Sequence, residues 1–149
     1  MYFHLFISLV CLHCMEFEDF RKWFYLHSIY NFVWGSLVIL FPKLYFNLIG
    51  MNPPMYLPIW QVVGMFVLIY SPAYYWIAGD PKKHFHLVFI AFLGTLFGPL
   101  GFLWSIINNL IPAQFGWTII TNDLIWWPLF FGYFVKIHNE YSLLSLMKA

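Results

Sequence analysis

Charge is what this sequence has least of. Only 9% of its residues are Asp, Glu, Lys or Arg, while 62% are hydrophobic; soluble domains carry about 25% charged and about 45–50% apolar residues. So few charges cannot coat a water-facing surface, which excludes an ordinary soluble domain and sets lipid against the outer faces. Basic residues are too few and too scattered for a phosphate-binding footprint: seven Lys and Arg, in ones and twos, with a formal net charge of +1. Nucleic acid is therefore not an expected partner. The two cysteines, Cys11 and Cys14, are too few for a disulfide framework. Their C-x-x-C spacing suits thiol redox chemistry, but no thioredoxin-like pattern surrounds it. GxSxG, P-loop and HExxH signatures are missing too, as are internal repeats and low-complexity tracts.

What is abundant is apolar chain, enough for one domain of 149 residues. Four long runs stand out, at about residues 23–41, 57–77, 85–111 and 117–137. Each is roughly 19–27 residues long, and a helix needs about 20 to cross the hydrocarbon core. Open strands are excluded because lipid cannot satisfy their backbone groups. The expected fold is an all-α, polytopic membrane four-helix bundle. Pro72 and Pro128 predict kinks in the second and fourth helices, and the long third run predicts a tilt or a kink near Gly98-Pro99. The link from Pro42 to Tyr56 keeps Leu44, Tyr45, Phe46, Leu48 and Ile49, so it is expected to lie on the membrane surface.

Placing both chain ends in the cytoplasm puts Arg21, Lys22, Lys82, Lys83, Lys136 and Lys148 inside and only Lys43 outside, a positive-inside pattern. Residues 1–22 form an N-terminal segment. Its first 14 are apolar but too short to span, and lack a signal peptide's basic start and cleavage site. They read either as a surface-lying piece or as an overextended start. Residues 138–149 make a cytoplasmic tail.

Lipid offers no hydrophobic drive for helix association, so small and polar residues mark buried faces. In the third run Ala91, Gly94, Gly98, Gly101 and Ser105 share one face, with Asn108 continuing it. In the second, Gln61, Gly64, Leu68, Ser71, Tyr75 and Ala78 do the same. These stripes predict close packing between the second and third helices, or an oligomer contact through the Gly94/Gly98 GxxxG pair.

Polar residues inside a span are functional candidates because burying them is expensive. They fall at two levels. The outer level holds Gln61, Asn108, Asn109, Asn122 and Asp123, with Trp126 and Trp127 close by. Asp123 lies about 9 Å deep if the fourth helix begins at Trp117. The leading candidate ligand site is therefore Asp123, Asn122, Asn108, Gln61 and Trp127. Thr121-Asn122-Asp123 also reads as a helix start with Asp123 in the first turn, or as buried structural hydrogen bonding. The inner level holds His27, Asn31, Tyr74, Tyr75, Asp80, His84 and His86, with His27 and Asn31 as a secondary site. This layering predicts that Asp123 and His27 sit near opposite leaflets. No metal site is expected. His84 and His86 are two apart and point to different sides of a helix, and the Glu-x-x-His pairs of di-iron bundles are missing.

Tyr30-Asn31-Phe32-Val33-Trp34-Gly35, Trp60-Gln61-Val62-Val63-Gly64, Gly98-Pro99-Leu100-Gly101-Phe102 and Thr121-Asn122-Asp123-Leu124-Ile125-Trp126-Trp127 together resemble the DoxX-like group of small bacterial four-helix membrane proteins. The likeness covers about residues 26–135. It implies the bundle architecture and a bacterial inner membrane, and it carries over no catalytic residue or cofactor. The expected function is non-enzymatic: binding a small lipophile, or supporting a membrane protein complex, with membrane lipids around it. Two alternatives are an intramembrane enzyme acting on a lipid, sterol or quinone, with Asp123 or His27 as acid or base, and an oligomeric transporter or channel.

Overall fold

The first long helix reaches back well before the apolar run that announces it. In the computed structural model, which describes residues 15–140, α1 spans Phe17–Leu40 rather than starting at Trp23. Glu18 and Asp19 fill its first turn, where acidic side chains favour the positive end of the helix dipole. The Asp19 carboxylate also accepts the Glu16 backbone N–H at 3.2 Å, satisfying a donor beside the helix start. Pro42 then stops the helix. Residues 1–14, with Cys11 and Cys14, and residues 141–149, with Lys148, lie outside the described residues.

All regular structure among the described residues is helical. The long link contains a short helix, α2 (Leu44–Leu48), which buries Phe46. After it, Gly50 adopts φ +68, a left-handed conformation that glycine reaches without strain. α3 spans Leu57–Gly79, with Pro58 in its first turn, where a missing N–H does no harm. α4 spans Phe85–Ile107 and stops short of the expected Ile111, because Asn109 turns to φ 55, outside the right-handed helical region. Both long helices carry a proline inside, Pro72 and Pro99.

The fourth run is not one helix. It divides into α5 (Gly116–Asn122), a 3-10 turn (Leu124–Trp126) and α6 (Trp127–Glu140). The expected kink at Pro128 is a full break placed a turn earlier. Proline has no N–H, and its ring clashes with the carbonyl four residues back. It therefore sits in the first turn of a new helix, and the previous helix must end before it.

α1 and α3 form the closest pair, and their contacts run in antiparallel order. Arg21 Nε donates to the Ala78 carbonyl at 2.9 Å, Ser28 Oγ to the Ser71 carbonyl at 2.8 Å, and Gln61 Nε2 to the Ile39 carbonyl at 2.8 Å. At the crossing, a Cβ on Gly35 would lie 2.8 Å from both the Gly64 carbonyl oxygen and the Leu68 nitrogen. The small-residue face of α3 is therefore real, but it packs on α1, not on α4. α4 leaves two of its glycines loose. A Cβ on Gly101 would meet nothing within 4 Å, and one on Gly94 only the Tyr70 hydroxyl at 3.8 Å.

Two aromatic cores fill the molecule. Phe20, Phe24, Tyr74, Phe130 and Tyr133 pack at one end, where the Tyr133 hydroxyl donates to the Pro81 carbonyl at 2.7 Å. Val38, Phe46 and Trp60 pack at the other, with Tyr45 and Phe115 beside them. Ion pairs join the chain's charges near the first core: Lys136 with Glu16, and Lys82 with Glu140, each at 3.5 Å. Among the described residues, two helices are long and apolar enough to cross a membrane: α3, with a mean hydropathy of 1.4, and α4, at 2.0.

Candidate functional site

The break in the last run places the polar residues. Because α5 ends at Asn122, Asp123 sits at the junction and presses against α4 where that helix has no side chain. A Cβ on Gly98 would lie 2.6 Å from Asp123 Oδ2. The Asp123 carboxylate makes no hydrogen bond among the described residues. Neither expected cap forms: Thr121 Oγ1 instead donates to the Trp117 carbonyl at 2.8 Å, inside α5. The reading of Asp123 as a first-turn residue is thereby corrected: it is the C-cap of α5 and the residue just before the 3-10 turn.

Beside Asp123 lies a cavity of about 170 Å³, walled by α1, α3, α4 and the junction. Asn122 and Asp123 line it from one side, and His27 and Asn31 from α1. Asn122 Oδ1 accepts the Tyr30 hydroxyl at 3.2 Å, and Asn31 Nδ2 donates to the His27 carbonyl at 2.9 Å. His27 is only 2% exposed. Its ring is sandwiched between Tyr74, 3.8 Å away between centroids, and Trp126, 3.7 Å away and nearly parallel. Its buried Nδ1 has no hydrogen-bond partner among the described residues. Phe66 and Val63 of α3, which line the cavity, are 62% and 43% exposed, so it is open to the outside beside α3.

His27 and Asp123 therefore border one cavity, where the sequence placed them at two separate levels. The break after Asn122 explains the difference: it sets Asp123 against Gly98 of α4, beside the cavity that His27 and Asn31 reach from α1.

The other expected site residues separate. Gln61 ties α3 to α1 through the Ile39 carbonyl. Asn108 is exposed and donates to the Trp104 carbonyl of its own helix at 2.8 Å, so neither borders the cavity. Trp127 joins α6 to α4 by donating to the Thr95 carbonyl at 3.2 Å. Its neighbour Trp126 stacks on the site histidine. Gly98 seats Asp123, while Gly64 serves the α1–α3 contact. Tyr30, Tyr70, Thr95 and Trp126 were not expected in the site. Only the aromatic and small residues around Asp123 hinted at them.

Compared with known proteins, the chain matches no family model, no curated protein and no solved structure.

Proposed function

We propose that this chain is a multi-pass membrane protein that binds a small lipophilic molecule in the cavity between α1, α3, α4 and the Asp123 junction. One observation carries the reading: an unpartnered carboxylate, with the imidazole of His27 and the amides of Asn31 and Asn122, lines a cavity that opens between apolar helix faces. A ligand entering sideways would bring an apolar body and a hydrogen-bond donor, which Asp123 accepts.

The membrane part rests on how little of α4 is covered. Only 17% of its apolar stretch is buried, unlike the core helix of a soluble protein, and contiguous apolar surface of that kind belongs against lipid or a partner. α1 and the α5–α6 pair complete a four-helix bundle in this reading. α1 has lower hydropathy because it carries His27 and Asn31. The ion-paired end, with Arg21, Lys82 and Lys136, faces the cytoplasm by the positive-inside rule. The motif resemblance to the DoxX-like group supports the same architecture and a bacterial inner membrane.

Bromobenzyl alcohol is a suitable probe, because bromine quenches tryptophan and Trp126 stacks beside the site. Saturable quenching is expected for the purified protein in nanodiscs. Asp123→Asn should weaken binding about tenfold, the difference between a charged and a neutral acceptor, with the unfolding midpoint unchanged. Unfolding of Asp123→Asn would make the residue structural, and the binding site would fall with it. Gly98→Ala should act through the same group. The added methyl meets only the tip of the Asp123 side chain, which can swing aside, so stability is expected to stay within about 1 kcal/mol of wild type. Probe binding should weaken about as much as in Asp123→Asn. Unchanged binding would show that the Gly98 contact does not orient the carboxylate.

The shared cavity favours a second reading, an intramembrane enzyme with His27 and Asp123 as its acid and base. Incubating the protein with a lipid extract separates the two. A new product that accumulates with time and disappears in His27→Gln marks turnover, whereas recovery of the bound lipid unchanged marks binding alone.

A further inference from the structure

We infer that the ligand is a single-chain amphiphile, with a hydrogen-bond-donating head at Asp123 and an apolar tail that runs along α3 past Val63 to Trp60. The inference rests on the binding site proposed above and specifies what fills it.

A second cavity of about 400 Å³ lies at the far end of α3, lined by Phe46, Ile59, Trp60, Leu110, Pro112 and Phe115 among others. Val63 lines both cavities, so the two adjoin at one side chain. Together they fall within the range of about 300–1,000 Å³ typical of small-molecule sites. From Trp60 to Tyr70 is about ten helical residues, or about 15 Å, the reach of a medium-length alkyl chain.

The ends differ in chemistry. The inner cavity gathers Asp123, Asn31, Asn122 and His27, while the outer is lined almost wholly by apolar and aromatic side chains. Its polar exceptions are the hydroxyl of the exposed Tyr56 and the indole N–H of Trp60, a residue only 6% exposed whose Nε1 has no hydrogen-bond partner among the described residues. On the α4 wall of the inner cavity Gly94 presents no side chain, and a Cβ there would meet only the Tyr70 hydroxyl, at 3.8 Å.

The head must be neutral or cationic. Neither cavity is lined by Lys or Arg, so a phosphate would be buried against the Asp123 carboxylate with no counter-charge. This excludes an ordinary phospholipid and leaves a long-chain alcohol or amine, which share the donor that Asp123 lacks.

Four probes in nanodiscs test this: bromobenzyl alcohol, ω-bromododecanol, ω-bromododecylamine and ω-bromododecanoate. The dodecyl alcohol or amine is expected to quench saturably, with part of that quenching lost in Trp60→Phe. The tighter of the two identifies the donor. Ile59→Phe should weaken the long-chain probe about tenfold by narrowing the outer cavity and leave bromobenzyl alcohol unchanged, because Ile59 lines the outer cavity and not the inner one. Ile59 is 66% exposed, so the fold tolerates the larger ring, and Leu110→Phe, on the same cavity, provides a second variant. If long-chain binding ignores both variants, or its quenching survives intact in Trp60→Phe, the tail path is wrong while the inner site stands on bromobenzyl alcohol. Equal binding of the carboxylate overturns the donor head. Absence of saturable quenching by all four probes overturns the binding site itself.

Discussion

Gly35→Ala is expected to lower the unfolding free energy by about 3 kcal/mol, the upper part of the range for overpacking a close contact. The new methyl would lie 2.8 Å from the Gly64 carbonyl oxygen and the Leu68 nitrogen. Backbone atoms cannot rotate away, so α1 and α3 must separate. Separation also stretches the Ser28–Ser71 and Gln61–Ile39 hydrogen bonds, which flank the crossing on either side. Gly64→Ala should cost a similar amount, about 2–3 kcal/mol, because its methyl would lie 2.8 Å from the Val38 Cβ, which moves only with the α1 backbone, and 3.1 Å from the Gly35 carbonyl oxygen. Gly101→Ala should go the other way. Its Cβ meets nothing, and alanine is favoured over glycine in a helix by about 0.5–1 kcal/mol. Equilibrium unfolding in mixed detergent and SDS micelles measures all three. If Gly101→Ala proved the most damaging, α4 and not α1 would be the partner of the α3 face.

That contrast marks where the sequence was legible. Small residues at steps of three and four along residues 61–78 announced a closely approached helix face, and the face exists. They could not name the partner. Such spacing reports how near another backbone comes, not which one, and Gly94, Gly98 and Gly101 were the more conspicuous stripe. Ser28, Asn31 and Gly35 step along α1 at the same spacing and form the face that meets α3. Helix ends were less legible than helix existence, because hydropathy marks where the chain is apolar and not where its backbone bonds begin. The break after Asn122 left no mark in hydropathy, and it is what brings Asp123 to the cavity that His27 borders. The same uncertainty hid the choice between Trp126 and Trp127. Adjacent residues point about 100° apart on a helix, and only the break before Pro128 decides which ring reaches His27.

Removing the ring of His27 is expected to cost about 3 kcal/mol, and restoring a ring without nitrogen should more than recover it. In His27→Ala the faces of Tyr74 and Trp126, each less than 4 Å from the imidazole by centroid, lose their common partner. The space left is of the kind that makes aromatic-to-alanine changes cost about 3–5 kcal/mol in cores. His27→Phe keeps an aromatic ring in the stack and removes Nδ1, a buried nitrogen with no hydrogen-bond partner. A group in that state costs about 1–3 kcal/mol, so the phenylalanine variant should exceed wild type by about 1 kcal/mol. A histidine that weakens the protein in which it sits calls for another reason to be there. The cavity it shares with Asp123 supplies one, since binding sites commonly give up stability for function. His27→Phe should therefore gain stability and lose affinity for bromobenzyl alcohol in the same preparation. Micelle unfolding and tryptophan quenching report the two effects separately. A variant as unstable as His27→Ala would show that the imidazole nitrogens are bonded in the folded chain. A stabilised variant with unchanged probe binding would leave His27 as a packing residue and Asp123 as the site's working group.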